Sequence, residues 1–541
     1  MKIKFLIASL VLGASISSYA QGYKDGIEYY KIDQLDNAKE LLNRNLNDAS
    51  TNKAESYYYL GMIEFHKGNL AGAKADFDKG VQADANNPYN YVGQAAIALK
   101  NNNAKEAEEL FKQARKYTKK DAKLETAIAR TYYDVDPTAY AKQISKSIAD
   151  ARKWQAQDPD SYVFEGDMYA DKKQWGEAAG QYELAMNYDP NLVEAYVKYA
   201  NTYFNVNPEM AIQKLQELLK KQPNSALAQR QLAEKYYTDN QGAKAAEQYG
   251  EYIKNPNHFS QDEVRYVQLL FFGGKYQESY DLATSLVNKL PAGDEQVFYM
   301  RRMQLYNLVQ LKKWAEAAEA GKAFFGMQLP EGSTYESRDY TDYAQALQNS
   351  GNPTEAIANY EKAAQINPNN LDLLRNLSDT YTDAKNYDKA VEFYKKVCDN
   401  EKHTSNDLYQ LAVCYYNQAL STKDPAVKKT AIEEGMKYLT AADEKVPDNL
   451  LIVNRKASYY KLMEGEKNSG KACDAYKQLL KLLDSKEDKS GYDSYYISAY
   501  NYLANYEFNA GDKALAKTYY EKWLEHDPKN EALRKYVQSL K

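Results

Sequence analysis

The strongest constraint on the fold of this chain is a small residue that recurs at a near-constant step. A step of 34 positions separates the members of two series: Gly61, Ala95 and Ala129, and Ala344, Ser378 and Ala412. A fixed period of this length indicates a stack of repeated structural units rather than a single compact core. The chain has 541 residues, which is also too long for one core.

Each period contains two groups of residues at helical spacing. Around the small residue Gly166, Tyr162 lies four positions before it, and Tyr182 belongs to a second group that begins after a break at 172–174. That second group ends at Pro190, where a helix is expected to stop. The spacing therefore predicts two antiparallel helices joined by a tight turn. Because one hairpin cannot cover both of its apolar sides, neighbouring hairpins are expected to stack.

The small residues have a steric role in this arrangement. A glycine or alanine on the first helix, such as Gly61, lets the second helix approach closely, and Ala73 on the second helix does the same in return. Large aromatic residues such as Phe77 then fill the remaining gaps. The same alternation of small and aromatic positions returns along most of the chain.

The pattern is carried most clearly by four stretches: Tyr57 to Gly61 with Gly68, Ala73 and Phe77; Ala344, Gly351, Ala356, Tyr360, Ala363 and Pro368; Leu377, Tyr381, Tyr387, Ala390 and Tyr394; and Leu503, Gly511, Ala516, Tyr520 and Pro528. It resembles the tetratricopeptide repeat family. The resemblance extends over about fourteen units between Gly22 and Asn530. It implies an all-α, right-handed superhelical solenoid whose first helices line a concave wall.

Breaks in the spacing predict the organisation of the chain. We expect a signal peptide at 1–20, an N-terminal array at 21–329, a C-terminal array at 330–530 and a polar capping helix at 531–541. The proline and glycine of Leu329-Pro330-Glu331-Gly332-Ser333 favour this segment as the joint between the arrays.

The N-terminus has the pattern of a cleavable export signal. Lys2 and Lys4 precede a short apolar run, and Ser18-Tyr19-Ala20 offers small residues for cleavage. No cysteine follows Ala20, so a lipid anchor is not expected, and no later run is long enough to cross a membrane. The prediction is a periplasmic or secreted protein. The sequence is rich in Lys, Asn and Tyr, with 52 tyrosines, and is similar in style to exported repeat proteins of the Bacteroidota envelope.

The composition argues against several functional classes. Seventy basic and 75 acidic residues are well mixed, with a net charge of −5, so no basic patch for nucleic acid is expected. The four histidines have no second ligand at metal-binding spacing, and no phosphate loop or nucleophile motif is found. We therefore predict a protein that is not an enzyme and has no cofactor or metal. His66, on the inner face of a first helix, is the one histidine of interest.

The candidate site is a row of side chains on the first helices. Eight aromatic residues lie four positions after the small residue of their unit: Tyr30, Phe65, Tyr133, Phe204, Tyr237, Phe271, Tyr416 and Phe508. Asparagines lie beside them: Asn201, Asn205, Asn417, Asn505 and Asn509. Rings give contact area at a low entropy cost, and amides can bond to an extended backbone. The alternative is that these rings pack between neighbouring first helices.

Two kinds of ligand suit such a wall. The first is a polypeptide, which makes the protein an interaction scaffold in the cell envelope. The second is a glycan, since rows of aromatic rings also stack on sugars. Arg230, Arg302 and Arg375 on the same wall are interpreted as isolated, solvated residues. The lysine and asparagine set with which some family members grip chaperone tails is missing, because Val197 and Asn501 occupy the matching positions.

Overall fold

The computed structural model describes residues 22–291, 293–465 and 469–540. Over these residues the protein consists of 29 α-helices joined by turns and short loops, without a strand. The first 28 helices form 14 successive pairs, and the last helix follows alone. The predicted all-α array of hairpins with a final capping helix is confirmed. The expected signal peptide, 1–20, lies outside the described residues.

The chain divides into two compact units, 1–290 and 291–541. The helices of the N-terminal unit are α1 (Gly22–Lys31), α2 (Leu35–Asn45), α3 (Lys53–His66), α4 (Leu70–Ala83), α5 (Pro88–Lys100), α6 (Ala104–Tyr117), α7 (Ala122–Val135), α8 (Ala141–Trp154), α9 (Pro159–Asp171), α10 (Trp175–Tyr188), α11 (Val193–Tyr203), α12 (Pro208–Lys221), α13 (Ala226–Thr238), α14 (Gly242–Ile253), α15 (Ser260–Phe272) and α16 (Tyr276–Lys289).

The helices of the C-terminal unit are α17 (Glu295–Gln310), α18 (Trp314–Phe325), α19 (Ser337–Asn349), α20 (Pro353–Ile366), α21 (Leu371–Asp383), α22 (Tyr387–Cys398), α23 (Ser405–Ser421), α24 (Pro425–Lys445), α25 (Leu450–Glu464), α26 (Cys473–Asp484), α27 (Asp493–Ala510), α28 (Lys513–His526) and α29 (Glu531–Ser539). Leu533 and Val537 of α29 pack with Tyr520 of α28, so the final helix covers the end of this stack.

The division between the units falls one hairpin before the joint expected at 329/330. The segment that leads into α19 is held by aromatic contacts on both sides. Phe325 at the end of α18 stacks on Tyr340 of α19, with ring centroids 4.8 Å apart. Tyr335 of the connecting segment lies 4.8 Å from the same Phe325 ring. These contacts join α18 to α19, so the hairpin α17–α18 belongs to the C-terminal unit.

Left-handed residues set the turn inside most hairpins. Asn102, with φ of 58°, follows α5, and Lys173, with φ of 58°, follows α9. At the first of these turns the Asn103 N–H donates to the Ala98 carbonyl at 2.8 Å, which satisfies an unpaired carbonyl at the helix end. The Asn103 side chain then accepts from the Glu106 N–H at 3.3 Å and caps α6. One short turn therefore ends the first helix and starts the second.

The predicted steric role of the small residues is confirmed. The ring of Phe77, on α4, is fully buried. It lies directly against Gly61 of α3 and Gly93 of α5, and a Cβ atom on either glycine would overlap the ring. Phe77 thus enters between two successive first helices because both present no side chain at that level.

The interpretation of the three wall arginines as isolated solvated residues is wrong. Each arginine pairs with a buried aspartate in the first turn of the next first helix, and that aspartate also accepts a hydrogen bond from a backbone N–H at the helix start. The pairs and their N–O distances are Arg230–Asp262 at 3.2 Å, Arg302–Asp339 at 2.9 Å and Arg375–Asp407 at 2.7 Å. These ion pairs connect neighbouring hairpins.

Candidate functional site

The eight aromatic residues of the expected wall all lie on, or directly after, a first helix. None of the eight is fully open to solvent. Phe65, Phe204 and Phe271 are buried, each 7% exposed. The half-buried members are Tyr30, Tyr133, Tyr237, Tyr416 and Phe508.

Most of these rings bridge two successive first helices. Tyr416 of α23 packs edge-on against Tyr459 of α25, with centroids 5.2 Å apart, and the Arg455 guanidinium lies 4.7 Å from the Tyr416 centroid. Tyr133 of α7 donates from its hydroxyl to Asp171 at the end of α9, at 2.8 Å. The rings therefore hold neighbouring hairpins together, and the half-buried ones still present part of their surface.

The asparagines beside the rings are more accessible. Asn201, Asn205 and Asn509 are exposed, and Asn417 is half-buried. The order Ala-Asn-x-x-Phe-Asn occurs at 200–205 in the N-terminal unit and again at 504–509 in the C-terminal unit. Both units therefore carry two asparagines flanking a packed phenylalanine. Asn505 is exposed like the others, but its amide nitrogen donates to the Asn501 carbonyl at 2.8 Å and its amide oxygen accepts from the Tyr520 hydroxyl at 2.8 Å.

The N-terminal unit closes on itself, which the sequence did not predict. Its first helix, α1, contacts α11 and α13 as well as α3. The Tyr29 ring packs edge-on against Phe259 at 5.3 Å, and the Asn257 side-chain amide donates to Asp25. Arg44 of α2 donates to the His258 carbonyl at 3.3 Å. In this unit α1 thus lies across the first helices, and the wall that was expected to be an open groove encloses a cavity.

This central cavity has a volume of about 430 Å³. Every first helix from α1 to α11 contributes to its lining. One lining residue from each of these six helices, in chain order, is Glu28, Tyr59, Tyr89, Thr126, Asp160 and Glu194. Of the expected wall rings, Tyr30 lines it, and so does His66. The Tyr30 hydroxyl is 3.2 Å from His66 Nε2, which lies 3.8 Å from Asp134 Oδ2.

Lys31 is the central cation of the cavity wall. Its Nζ lies 3.0 Å from Glu194 and 3.9 Å from Asp160. Burial alone raises the pKa of Glu194, but the charges of Lys31, Lys198 and Arg130 outweigh it and lower the pKa to about 2. Burial likewise lowers the pKa of Lys31, and the charges of Glu194 and Asp160 reverse this and raise it well above its ordinary value. Glu194 and Lys31 are therefore both ionised throughout the physiological range.

Glu28 is the carboxyl group that the protein leaves without a partner. Its Oε2 is shielded from solvent and has no hydrogen-bond donor. Burial, and then the charge of Asp25, raise the pKa of Glu28 to about 8, against a smaller opposing effect of Lys31. Burial also raises the pKa of Asp25 to about 6, although the hydrogen bond from Asn257 lowers it.

We expect the stability of the N-terminal unit to fall as pH rises from about 5 to 8. In that window folded Glu28 and Asp25 hold protons that the unfolded chain has released, so unfolding becomes easier with each pH step. The loss should be on the order of 5 kcal/mol, the larger part of it from Glu28. Urea denaturation at pH 5, 6, 7 and 8 measures it.

The Glu28→Gln variant should show a smaller dependence of the urea midpoint on pH. Glu109→Gln, which changes an exposed glutamate of α6, is the matched control and should keep the wild-type dependence. If the urea midpoint changes with pH equally in wild type and in Glu28→Gln, Glu28 does not titrate between pH 5 and 8.

Within residues 22–291, 293–465 and 469–540, no three His, Cys, Asp or Glu side chains come together as a metal site would require. In the same described part of the chain, no helix combines the length and apolar character needed to cross a membrane.

Two segments of the chain match the tetratricopeptide repeat family, residues 54–87 and residues 343–406. A curated protein with a similar stretch is the Hsp70-Hsp90 organising protein of Plasmodium falciparum, 33% identical over 97 residues. That match covers 18% of this chain and only 17% of the length of the relative.

Similar solved structures include the C-terminal part of a TPR repeat-containing protein from Cytophaga hutchinsonii. It is 19% identical, with a TM-score of 0.41, and the match covers 50% of this chain and 98% of that one. A thermophilic TPR protein of Thermus thermophilus is 21% identical, with a TM-score of 0.26, over 38% of this chain and 98% of that one. One segment that matches the tetratricopeptide repeat family therefore lies in each of the two units, 54–87 in the N-terminal unit and 343–406 in the C-terminal unit.

Proposed function

We propose that this protein is a non-catalytic interaction scaffold of the cell envelope that binds polypeptide partners through the first-helix walls of its repeats. Three observations support the proposal. The repeats are present in both units, a similar protein is named for organising Hsp70 and Hsp90, and the sequence pattern at 1–20 predicts export. The export pattern is the support for the envelope location.

The observation that carries the binding proposal is the repeated pair of asparagines on the wall. Asn201 and Asn205 flank Phe204, and Asn505 and Asn509 flank Phe508. Asn201, Asn205 and Asn509 are exposed, and a primary amide can both donate to and accept from an extended backbone. The phenylalanine between each pair fixes the helix by packing, so the amides are presented from a rigid surface.

The glycan alternative receives less support from the same residues. Sugar stacking needs open ring faces, whereas the wall rings are buried or packed against the next first helix. At Tyr416, the Arg455 guanidinium lies over the ring, 4.7 Å from its centroid. The polypeptide proposal uses the exposed amides instead and does not need open ring faces.

The test is to remove the exposed amides and compare captured partners. We expect the triple variant Asn201→Ala, Asn205→Ala, Asn509→Ala to retain at most a tenth of the partner proteins that wild type binds from an envelope extract. Quantitative mass spectrometry of the bound proteins measures this. Phe204→Ala is unsuitable for the purpose because Phe204 is 7% exposed, and its loss would reduce stability.

Asn187→Ala supplies the matched control, since Asn187 is an exposed asparagine on the second helix α10. It should bind the wild-type set of proteins. If the triple variant also binds that set unchanged, the wall amides are not the binding surface. The envelope location is tested separately, by cell fractionation and detection of this protein in the envelope fraction. If the protein is not found in that fraction, the location is wrong, and the binding test can still be done with whole-cell extract.

A further inference from the structure

The central cavity of the N-terminal unit has more negative than positive groups. With every carboxyl ionised, its lining holds seven carboxylates against four lysine or arginine side chains. Low-dielectric walls concentrate such a field, so the cavity attracts cations and repels anions. This charge balance is independent of the asparagine wall on which the proposed scaffold function rests.

The partners of the charged groups show which carboxylate is available. Lys31 is held by Glu194 at 3.0 Å, and its charge is already balanced there. His66 lies 3.8 Å from Asp134. Glu28, in contrast, forms no ion pair, and its Oε2 is shielded from water without a hydrogen-bond donor. Glu28 lines the cavity, so a cation held there would supply the countercharge that the protein does not give this carboxylate.

The remaining lining limits the kind of cation. Ile27, Met62 and Leu192 give the cavity apolar surface, and the rings of Tyr58 and Tyr59 can lie against a cation. The volume of about 430 Å³ is that of a small organic ligand rather than a bare ion. No three metal-ligating side chains come together among the described residues, which include this whole lining. The lining thus suits a charged head on a hydrocarbon stem.

Exposed side chains show where a ligand can enter. Lys24 and Lys123 are exposed lining residues near the start of α1 and α7, and Asp33 and His66 are exposed lining residues at the opposite helix ends. The carboxyl ends of the helices carry partial negative charge, which favours a cation on the side of Asp33 and His66.

We propose that this cavity binds a primary alkylammonium group on a hydrocarbon stem, with the ammonium donating to the unpartnered carboxylate of Glu28. Such a group occurs in free aliphatic diamines and in lysine side chains. Both sources share the ammonium and the stem, and they differ in whether the far end of the stem is free or attached to a peptide.

Isothermal titration calorimetry of the purified protein at pH 8.5 tests the proposal with three probes. Cadaverine represents the free diamine, N-acetyl-lysine amide represents the lysine side chain, and glutarate is an anion of the same length. We expect cadaverine or N-acetyl-lysine amide to bind, and glutarate not to bind. The amine that binds more tightly identifies the source. Failure of both amines to bind, or equal binding of glutarate, would overturn the proposal.

Two variants connect binding to the cavity. Glu28→Gln should weaken amine binding at least tenfold, and Ala127→Leu, which narrows the cavity and keeps every charge, should also weaken it. Glu177→Gln changes an exposed glutamate on α10 and should bind as wild type does. Circular dichroism establishes that each variant is folded. Wild-type affinity in both cavity variants would place the amine elsewhere and refute the site. The titration uses no protein partner, so its result is independent of the scaffold proposal.

Discussion

Replacing Arg375 by alanine is expected to lower the free energy of unfolding of the C-terminal unit by about 3–5 kcal/mol. Arg375 binds both carboxylate oxygens of Asp407, with Nε to Oδ1 at 2.7 Å and Nη2 to Oδ2 at 2.8 Å. Asp407 is 1% exposed and also accepts from the Thr404 N–H at 2.7 Å. Without the arginine, the first turn of α23 would keep a buried carboxylate with no countercharge.

The effect of Arg375 on the pKa of Asp407 also predicts a loss of stability in Arg375→Ala. Burial raises the pKa of Asp407, but the hydrogen bonds from Arg375 and Thr404 outweigh it and lower the pKa below its ordinary value. A carboxyl group with a lowered pKa stabilises the fold above its ordinary pKa and loses that contribution as pH falls through the folded value. The Arg375→Ala variant should therefore differ most from wild type near neutral pH and least in strong acid.

Urea denaturation at pH 7 measures the loss. Lys389→Ala removes the exposed ion pair with Glu392, whose side chains are 47% and 44% exposed, and should cost less than about 1 kcal/mol. The double variant Arg375→Ala, Asp407→Asn should recover part of the loss, because no buried charge then remains unpaired. If Arg375→Ala costs no more than Lys389→Ala, this ion pair does not hold the hairpins together.

The sequence carries a signal for this contact that no single arginine shows by itself. Arg230, Arg302 and Arg375 lie three positions before Ala233, Leu305 and Ser378, which occupy the position of a first helix that usually carries the small residue. An aspartate in the first turn of the next first helix follows each arginine, 32, 37 and 32 positions later. A pair that recurs at about one repeat length indicates contact between neighbouring repeats. Comparison of repeats position by position would have predicted the three ion pairs.

The hairpin array was predictable because its determinants are local and repeated. Each period encodes its own turn and its own close approach, as Gly61 and Phe77 do in one hairpin. Errors in a single repeat have little effect on such a prediction, since neighbouring repeats supply the same information. The number of hairpins and the position of the final helix follow from counting these periods along the chain.

Closure of the N-terminal unit could not be predicted in the same way. Asp25 and Asn257 are separated by 232 positions, and no local pattern relates them. Their contact depends on the curvature of the stack, which is the sum of a small rotation at each of several hairpin interfaces. The cavity and the unpartnered Glu28 follow from this closure, so the sequence could identify their residues as wall positions but not as one site.

Tyr29→Ala should therefore open the N-terminal unit. Tyr29 is fully buried, and its ring packs edge-on against Phe259, near the start of α15. Truncation of a large buried ring costs about 3–5 kcal/mol. Because this ring lies where α1 meets the far end of the stack, the loss should fall first on closure. The hairpins that lie between α1 and the far end of the stack should keep their own packing.

Hydrogen–deuterium exchange separates opening from general unfolding. In Tyr29→Ala, amides of α1 and of the segment 254–259 should exchange at least tenfold faster than in wild type, while those of α5 and α6 should change little. Tyr117→Ala removes a ring that is 39% exposed and should leave exchange in α1 unchanged. Faster exchange spread evenly over the unit would show that Tyr29 supports the whole stack. With α1 released, Glu28 would reach solvent, so the pH dependence that this buried carboxyl group produces should also diminish in Tyr29→Ala.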